Sequence, residues 1–295
     1  MASQRHVRLL PSSKAPWRPL FQSHISKLTP PEFSLATVYK DSSGAVYPRV
    51  RTCIFRGFWT ELDLRETARK QLLEDDRGRE ENGVNPNVYE SDLLTFTTDV
   101  RMDKIAQISS SSEETYCGND AGAGGPVEAV FWIRDVMTQW RIKGRAFIIG
   151  GDNRGAGESR SRENIWQWVR RRENSADENV KRWSLEKEIT AIFANLSPMM
   201  RGSFKNPPPG TPRSEPPTNR SLQLGQRVDD IYDPLARANF RVVVIVPEEV
   251  ESVDFTSPDD SKRMRWTLTK TDENVMNVNS GEYCQRIWEV VEVWP

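Results

Sequence analysis

The chain has 295 residues, 37% hydrophobic and 28% charged, with 41 Lys and Arg against 42 Asp and Glu for a formal net charge of −1. That composition suits a globular protein with length for one elaborated domain or two small ones, and it excludes a global basic field that would recruit nucleic acid or an anionic membrane. Three cysteines (Cys53, Cys117, Cys284) and two histidines (His6, His24) exclude a disulfide framework, a multi-histidine metal centre and a Ser-His-Asp hydrolase.

Residues 12–28 read as a helix: Ser12 or Ser13 can cap it, Pro16 is tolerated in the first turn, and Trp17, Leu20, Phe21, His24, Ile25 and Leu28 recur at helical spacing. Thr29-Pro30-Pro31 ends it. Strand-like runs at 33–40 and 47–58 flank Asp41-Ser42-Ser43-Gly44, which predicts a hairpin. Residues 61–90 are charged and poor in β-formers, and read as an insertion with a short exposed helix and too few apolar residues for a core.

The stretch 93–108, LLTFTTDVRMDKIAQI, alternates as a strand with Leu94, Phe96 and Thr98 on one face, then enters a short helix. Its turn gathers the Thr97 and Thr98 hydroxyls, the N–H groups of a helix start, and the cations Arg101 and Lys104, a set suited to a phosphate. A solvated helix start with two surface cations has the same sequence appearance.

Residues 109–126 are loop, and their glycine cluster lacks the Gly-Lys-Ser/Thr ending of a phosphate loop, so a connector is the simpler reading. Strands follow at 127–134 and 137–150, a break at 151–157, and helical spacing at 162–173 and 184–196. The proline-rich 205–220 segment reads as a linker or lid. Residues 240–246 are nearly continuous β-branched sequence, a buried strand, and further strand-like runs lie at 250–255, 264–269 and 287–294. No window is long and apolar enough to span a bilayer and no signal-peptide apolar core is present, so a cytoplasmic or nuclear location is expected. The elements sum to a mainly β, β-rich α+β protein, best matched by a small closed or split barrel with peripheral helices.

The order of four motifs resembles the pyridoxamine 5'-phosphate oxidase-like flavoproteins. They are Arg51-Thr52-Cys53-Ile54-Phe55-Arg56; Phe96-Thr97-Thr98-Asp99 with Lys104 and Gln107-Ile108; Gln139-Trp140-Arg141-Ile142-Lys143-Gly144; and Arg263-Met264-Arg265-Trp266 with the closing stretch 288–295. The resemblance implies an FMN-binding split β-barrel, a homodimer, and a single domain over 1–295 with insertions at about 61–91, 151–183 and 202–226. It implies that Arg51, Arg101 and Lys104 hold the FMN phosphate, with Thr97 and Thr98 adding hydroxyl or backbone bonds, and that Thr52 lies in the same binding strand. Arg56, Gln139 and Arg265 are implied to contact the flavin or its ribityl chain. Arginine suits a phosphate because its planar fork bonds two oxygens at once.

Two departures bear on activity. Asp103 stands where the pyridoxal-phosphate oxidases of the family have a second basic residue, and Ser261 and Arg263 stand where they have an arginine and a histidine that grip the substrate. The resemblance therefore implies an FMN-dependent oxidoreductase acting on an unidentified small molecule, with no side chain marked as an obligatory acid or base. Two other classes stay open: a non-catalytic flavin-binding sensor or carrier, and a barrel without flavin that binds proteins through its proline-rich segment.

Overall fold

The computed structural model describes residues 8–9, 14–74, 83–111, 124–150, 156–173, 175–217, 219–271 and 283–295. Ser12, Ser13, His6, Cys117, residues 121–123 of the glycine cluster and the first part of the expected break at 151–157 lie outside the described residues. In chain order the elements are β1 (Arg8–Leu9), α1 (Arg18–Ile25), β2 (Glu32–Lys40), β3 (Val46–Phe58), α2 (Glu66–Glu74), β4 (Tyr89–Glu90), β5 (Leu94–Asp99) and α3 (Asp103–Ser111). Then come β6 (Gly125–Ile133), β7 (Thr138–Ile149), α4 (Ala156–Trp166), β8 (Arg170–Arg171), α5 (Asp177–Arg182), α6 (Leu185–Ala194), α7 (Pro198–Ser203) and α8 (Pro234–Asn239). The chain ends with β9 (Phe240–Asp254), β10 (Lys262–Thr271) and β11 (Tyr283–Val293).

The strands run in the order β1-β11-β10-β9-β5-β3-β2-β6-β7, and β7 pairs back onto β9. Six antiparallel strands thus close a barrel, and β10 and β11 extend from it along the second half of β9. That half, around Val250, is shared by β7 and β10, whereas the first half is shared by β7 and β5. The barrel is split where β9 changes partners.

Gly144 sits at that change, beside a register shift in the β7–β9 ladder. A Cβ there would lie 2.0 Å from the Val246 carbonyl oxygen, so only glycine permits the approach. The runs read as two strands at 240–246 and 250–255 form one 15-residue strand that passes through Pro247. A proline is accommodated at this irregularity because the ladder is already interrupted.

Two cores lie on opposite faces of the same strands. Inside the barrel, Trp17, Phe21 and Ile25 of the first helical stretch meet Phe33, Phe55, Phe131, Trp140, Val243 and Ile245. Phe21 is edge-to-face with Phe55, Phe58, Phe131 and Trp140 at centroid distances of 5.1–6.2 Å, the geometry that aromatic quadrupoles favour. Outside it, Phe147, Ile149, Phe240, Val242, Val244 and Val246 pack under a helical layer that includes Ala68, Leu72, Ile165, Ile189, Ile192 and Phe193. Burial on both faces is why 240–246 reads as an unbroken apolar run rather than an alternation.

The helical layer corrects several expectations. Residues 61–90 do contribute to a core, because α2 buries Ala68 and Leu72 at helical spacing. The first helix begins at Arg18 after Trp17, with no side-chain cap. The helix expected over 162–173 is displaced to Ala156–Trp166, and Arg170–Arg171 pair with Tyr89–Glu90 instead. The proline-rich segment forms turns, with the Thr211 and Glu215 amides donating to Pro208 and Pro212 carbonyls. Among the described residues no helix is long and apolar enough to cross a membrane, and no group of three His, Cys, Asp or Glu is placed to hold a metal ion.

Candidate functional site

Arg51 lies on β3 with its side chain on the face of Cys53 and Phe55, near one end of the barrel interior. Its Nη1 donates to Thr37 Oγ1 at 2.7 Å and to the Leu35 carbonyl at 3.2 Å, and its Nη2 donates to Gln107 Oε1 at 2.5 Å. Gln107 comes from α3, which also carries Lys104 one turn earlier. Lys104 Nζ donates to Thr98 Oγ1 at 3.1 Å and approaches Met102 Sδ at 2.8 Å.

No carboxylate pairs with Arg51 or Lys104 among the described residues. Burial pulls the Lys104 ammonium below its ordinary value; Arg51 adds to the fall, while Cys53, Asp99 and Asp103 oppose it. Burial likewise lowers Arg51, although a guanidinium remains charged throughout the working range. Both cations act on the buried Cys53 thiol, which burial pushes up against the pull of Lys104 and Arg51.

Arg56 occupies a bulge, because Phe55 pairs with Phe96 and Gly57 already pairs with Thr95. Gly57 has a φ of +116°, a conformation that suits glycine. The bulge turns Arg56 to the outer face, where its Nε donates to Thr97 Oγ1 at 3.4 Å. Burial, then Arg65 nearby, lowers Arg56, and no carboxylate pairs with it among the described residues. Thr97 and Thr98 therefore serve opposite faces of β5, one beside Arg56 and the other beside Lys104. Thr52 is exposed and lies opposite Ser34 on β2.

The turn after β5 is not an open cradle of N–H groups. Asp99 occupies it: its Oδ1 accepts from the Arg101 amide at 2.8 Å and from Arg101 Nε at 2.9 Å, while its Oδ2 accepts from Arg101 Nη2 at 2.6 Å. Arg101 also donates to the Asn206 and Phe204 carbonyls. Arg101 is thus turned toward the helical layer and away from Lys104, and the helix itself begins only at Asp103.

Gln139 and Arg265 sit in a third group, on the outer face of β7, β9 and β10. With its amide oriented to satisfy both groups, the Gln139 oxygen accepts from Arg141 Nε at 2.8 Å and Nη2 at 3.0 Å. Arg141 faces Glu251 across the β7–β9 ladder. Glu251 is 5% exposed and accepts from Arg263 Nη2 and Arg265 Nε, each at 2.7 Å. Burial alone would raise the Glu251 carboxyl, but the hydrogen bonds from Arg263 and Arg265 hold it below the ordinary value. Two arginines therefore share one carboxylate, and with Arg141 beside them they leave a local positive surplus.

Reasoning from sequence named neither Glu251 nor Thr37 for the site, and it quoted Gln107 only as part of a motif. The alternation of Glu249, Val250 and Glu251 in a strand-like run was the available signal for Glu251, since it places an acid on the face that carries Arg263 and Arg265.

Residues 14–150 match the family described as pyridoxamine 5'-phosphate oxidase, FMN-binding domain. Residues 14–150 thus carry the FMN-binding domain of the pyridoxamine 5'-phosphate oxidase-like family. Its cofactor is accordingly FMN.

A solved pyridoxamine 5'-phosphate oxidase-related, FMN-binding protein from Nostoc punctiforme is similar over 96% of this chain and 99% of its own, with 19% identity and a TM-score of 0.55. That likeness shows the fold, a split barrel of mostly antiparallel strands with peripheral helices. PhzG from Burkholderia lata, solved with tetrahydrophenazine-1-carboxylic acid, is similar over 94% of this chain and 89% of its own, with 14% identity and a TM-score of 0.41. No curated protein matches the sequence significantly.

The residues present fit the phosphate of FMN. A phosphate monoester carries about −1.5 to −2 charges at neutral pH, and Arg51 and Lys104 are part-buried cations with only neutral hydrogen-bond partners. Such cations are costly to bury alone and are offset by a bound anion.

Proposed function

We propose that the protein is an FMN-dependent oxidoreductase acting on a small molecule, with Arg51 and Lys104 binding the FMN phosphate and Thr98 orienting Lys104. The single observation that carries this reading is the pair of part-buried cations at one barrel end with no carboxylate to neutralise them. Arg56 with Thr97 is assigned to the ribityl chain or the flavin edge on the outer face, and Gln139 to the flavin's polar edge, where an amide can donate or accept. Thr52 presents its hydroxyl on the same outer face. Arg101 and Arg265 are left out of the direct contacts, because Asp99 and Glu251 hold their guanidinium groups.

Bound FMN supplies hydride and electron transfer, and this chain's residues bind it, orient it and exclude water. The site is completed by a second copy of the chain, with the flavin at the subunit interface. The outer face of β2, β3 and β6 supports a homodimer, since it exposes Val46 (63%), Val50 (71%) and Trp132 (41%). The location proposed is the cytoplasm.

The test begins with the visible spectrum of the purified protein and chromatography of the flavin released by acid. Anaerobic reduction by pyridoxine phosphate, pyridoxamine phosphate and reduced nicotinamides is then followed photometrically, with light scattering for the dimer. FMN release with turnover of any of these supports the enzyme. FMN that none of them reduces favours a second reading, a flavin sensor or carrier. Arg263 motivates that alternative: it stands at a substrate-gripping position of the family's oxidases and is tied to Glu251 at 2.7 Å.

A further inference from the structure

We propose that Gln107, braced by Thr37, is the positioning residue that presents Arg51 to the phosphate while leaving its charge uncompensated. The proposal rests on the reading of Arg51 and Lys104 as the phosphate site. Gln107 is 5% exposed and Thr37 is 3% exposed, so both are fixed in the interior. Thr37 Oγ1 donates to Gln107 Oε1 at 2.6 Å and accepts from Arg51 Nη1 at 2.7 Å, while the same Gln107 oxygen accepts from Arg51 Nη2 at 2.5 Å. The three side chains close a triangle that occupies the Nη1/Nη2 edge of the guanidinium.

Arg51 Nε donates to no other described residue, so the Nε side of the guanidinium is left for a phosphate oxygen while Nη1 and Nη2 are held by Thr37 and Gln107. Gln107 and Lys104 are three residues apart on α3, hence on one side of the helix. One short helix therefore delivers the lysine and the brace for the arginine together.

The chemical choice lies in the amide. A carboxylate at position 107 would anchor Arg51 equally well and would neutralise it; a neutral acceptor anchors it and leaves the positive charge for the ligand. Asp103 acts on Arg51 through space, and it forms no ion pair with it.

The experiment compares FMN with riboflavin, which lacks only the phosphate, by quenching of flavin fluorescence on the full-length protein freed of flavin. Gln107→Glu is expected to weaken FMN binding about 10- to 100-fold, the scale of one charged hydrogen bond, with riboflavin affinity within about twofold of wild type. Thr37→Val, which keeps the amide and removes its brace, is expected to lower the FMN preference about 3- to 10-fold, and it decides the matter if Gln107→Glu does not fold. An unchanged FMN-to-riboflavin ratio in the folded variants overturns the positioning role. Arg51→Met, measured in parallel, separates the two ideas: if it leaves FMN affinity untouched, the phosphate-site reading fails instead.

Discussion

Replacing Lys104 by methionine removes the ammonium and keeps most of the stem. In the folded protein that ammonium has a hydroxyl at 3.1 Å and a thioether at 2.8 Å, and no carboxylate among the described residues. A hydrogen bond to a charged group contributes about 1.5–3 kcal/mol, so FMN affinity should fall about 10- to 150-fold, with riboflavin affinity nearly unchanged. The flavin-free variant should melt no lower than wild type, because a cation that burial disfavours has been exchanged for an apolar group.

The pH dependence gives an independent check. Because the folded protein holds Lys104 below 10.5, the unfolded chain binds that proton more tightly. Stability of the flavin-free protein should therefore rise with pH between the lowered value and 10.5, and this rise should be absent in Lys104→Met. FMN affinity should fall over the same alkaline window as the ammonium is lost. Titration calorimetry and thermal melts supply both quantities; an FMN Kd within twofold of wild type in the methionine variant would refute the reasoning.

Arg101→Met should separate support from binding: it breaks the buried pair with Asp99 (2.6 Å) and should cost about 3 kcal/mol of stability in denaturant melts, with the FMN Kd of the folded protein within about threefold of wild type. Glu188 is buried in the outer core, and burial raises its carboxyl against the hydrogen bonds from Asn85 and the Thr60 backbone. Its raised folded pKa means a contribution present below the unfolded value of 4.5 and lost as pH rises through the folded value. Glu188→Gln should therefore raise the melting temperature at pH 8, and the gain should vanish near pH 4. Gly144→Ala places a methyl 2.0 Å from the Val246 carbonyl oxygen and should cost about 3 kcal/mol or more or prevent soluble expression; a melt like that of wild type would show that β7 and β9 can separate there.

The barrel was legible because its strands declare themselves by alternation, and because Phe96-Thr97-Thr98-Asp99 and Arg51 keep their spacing in an order that few folds share. The helical layer was less so. Its short helices begin at Ser197-Pro198 and Asp233-Pro234, where the Ser197 and Asp233 side chains accept from the Met200 and Ala236 amides at 3.2 and 2.9 Å. Both starts were visible as a capping residue before proline. They were missed because six-residue helices show too little apolar periodicity to be read. Arg101 illustrates a different limit: from sequence alone, a cation beside the proposed phosphate-binding turn gives no sign of its pairing with Asp99, two residues earlier, which appears only in three dimensions. The same holds for Arg265, whose partner Glu251 lies on another strand.

The layer outside the barrel also bears on the site. The Val100 amide donates to the Asn239 carbonyl at 2.8 Å, and Arg101 reaches the Phe204 and Asn206 carbonyls. The turn that delivers α3 is thereby tied from behind to the segments between α7 and β9. Lys104 and Gln107 ride on that helix, so their positions depend on residues that touch no ligand. A cation that must wait uncompensated for a phosphate needs this kind of external bracing, because its own electrostatics would otherwise move it toward water. The elaboration outside the barrel is thus part of what holds the proposed phosphate end in place, with Asp99 and Arg101 as the joint between the two layers.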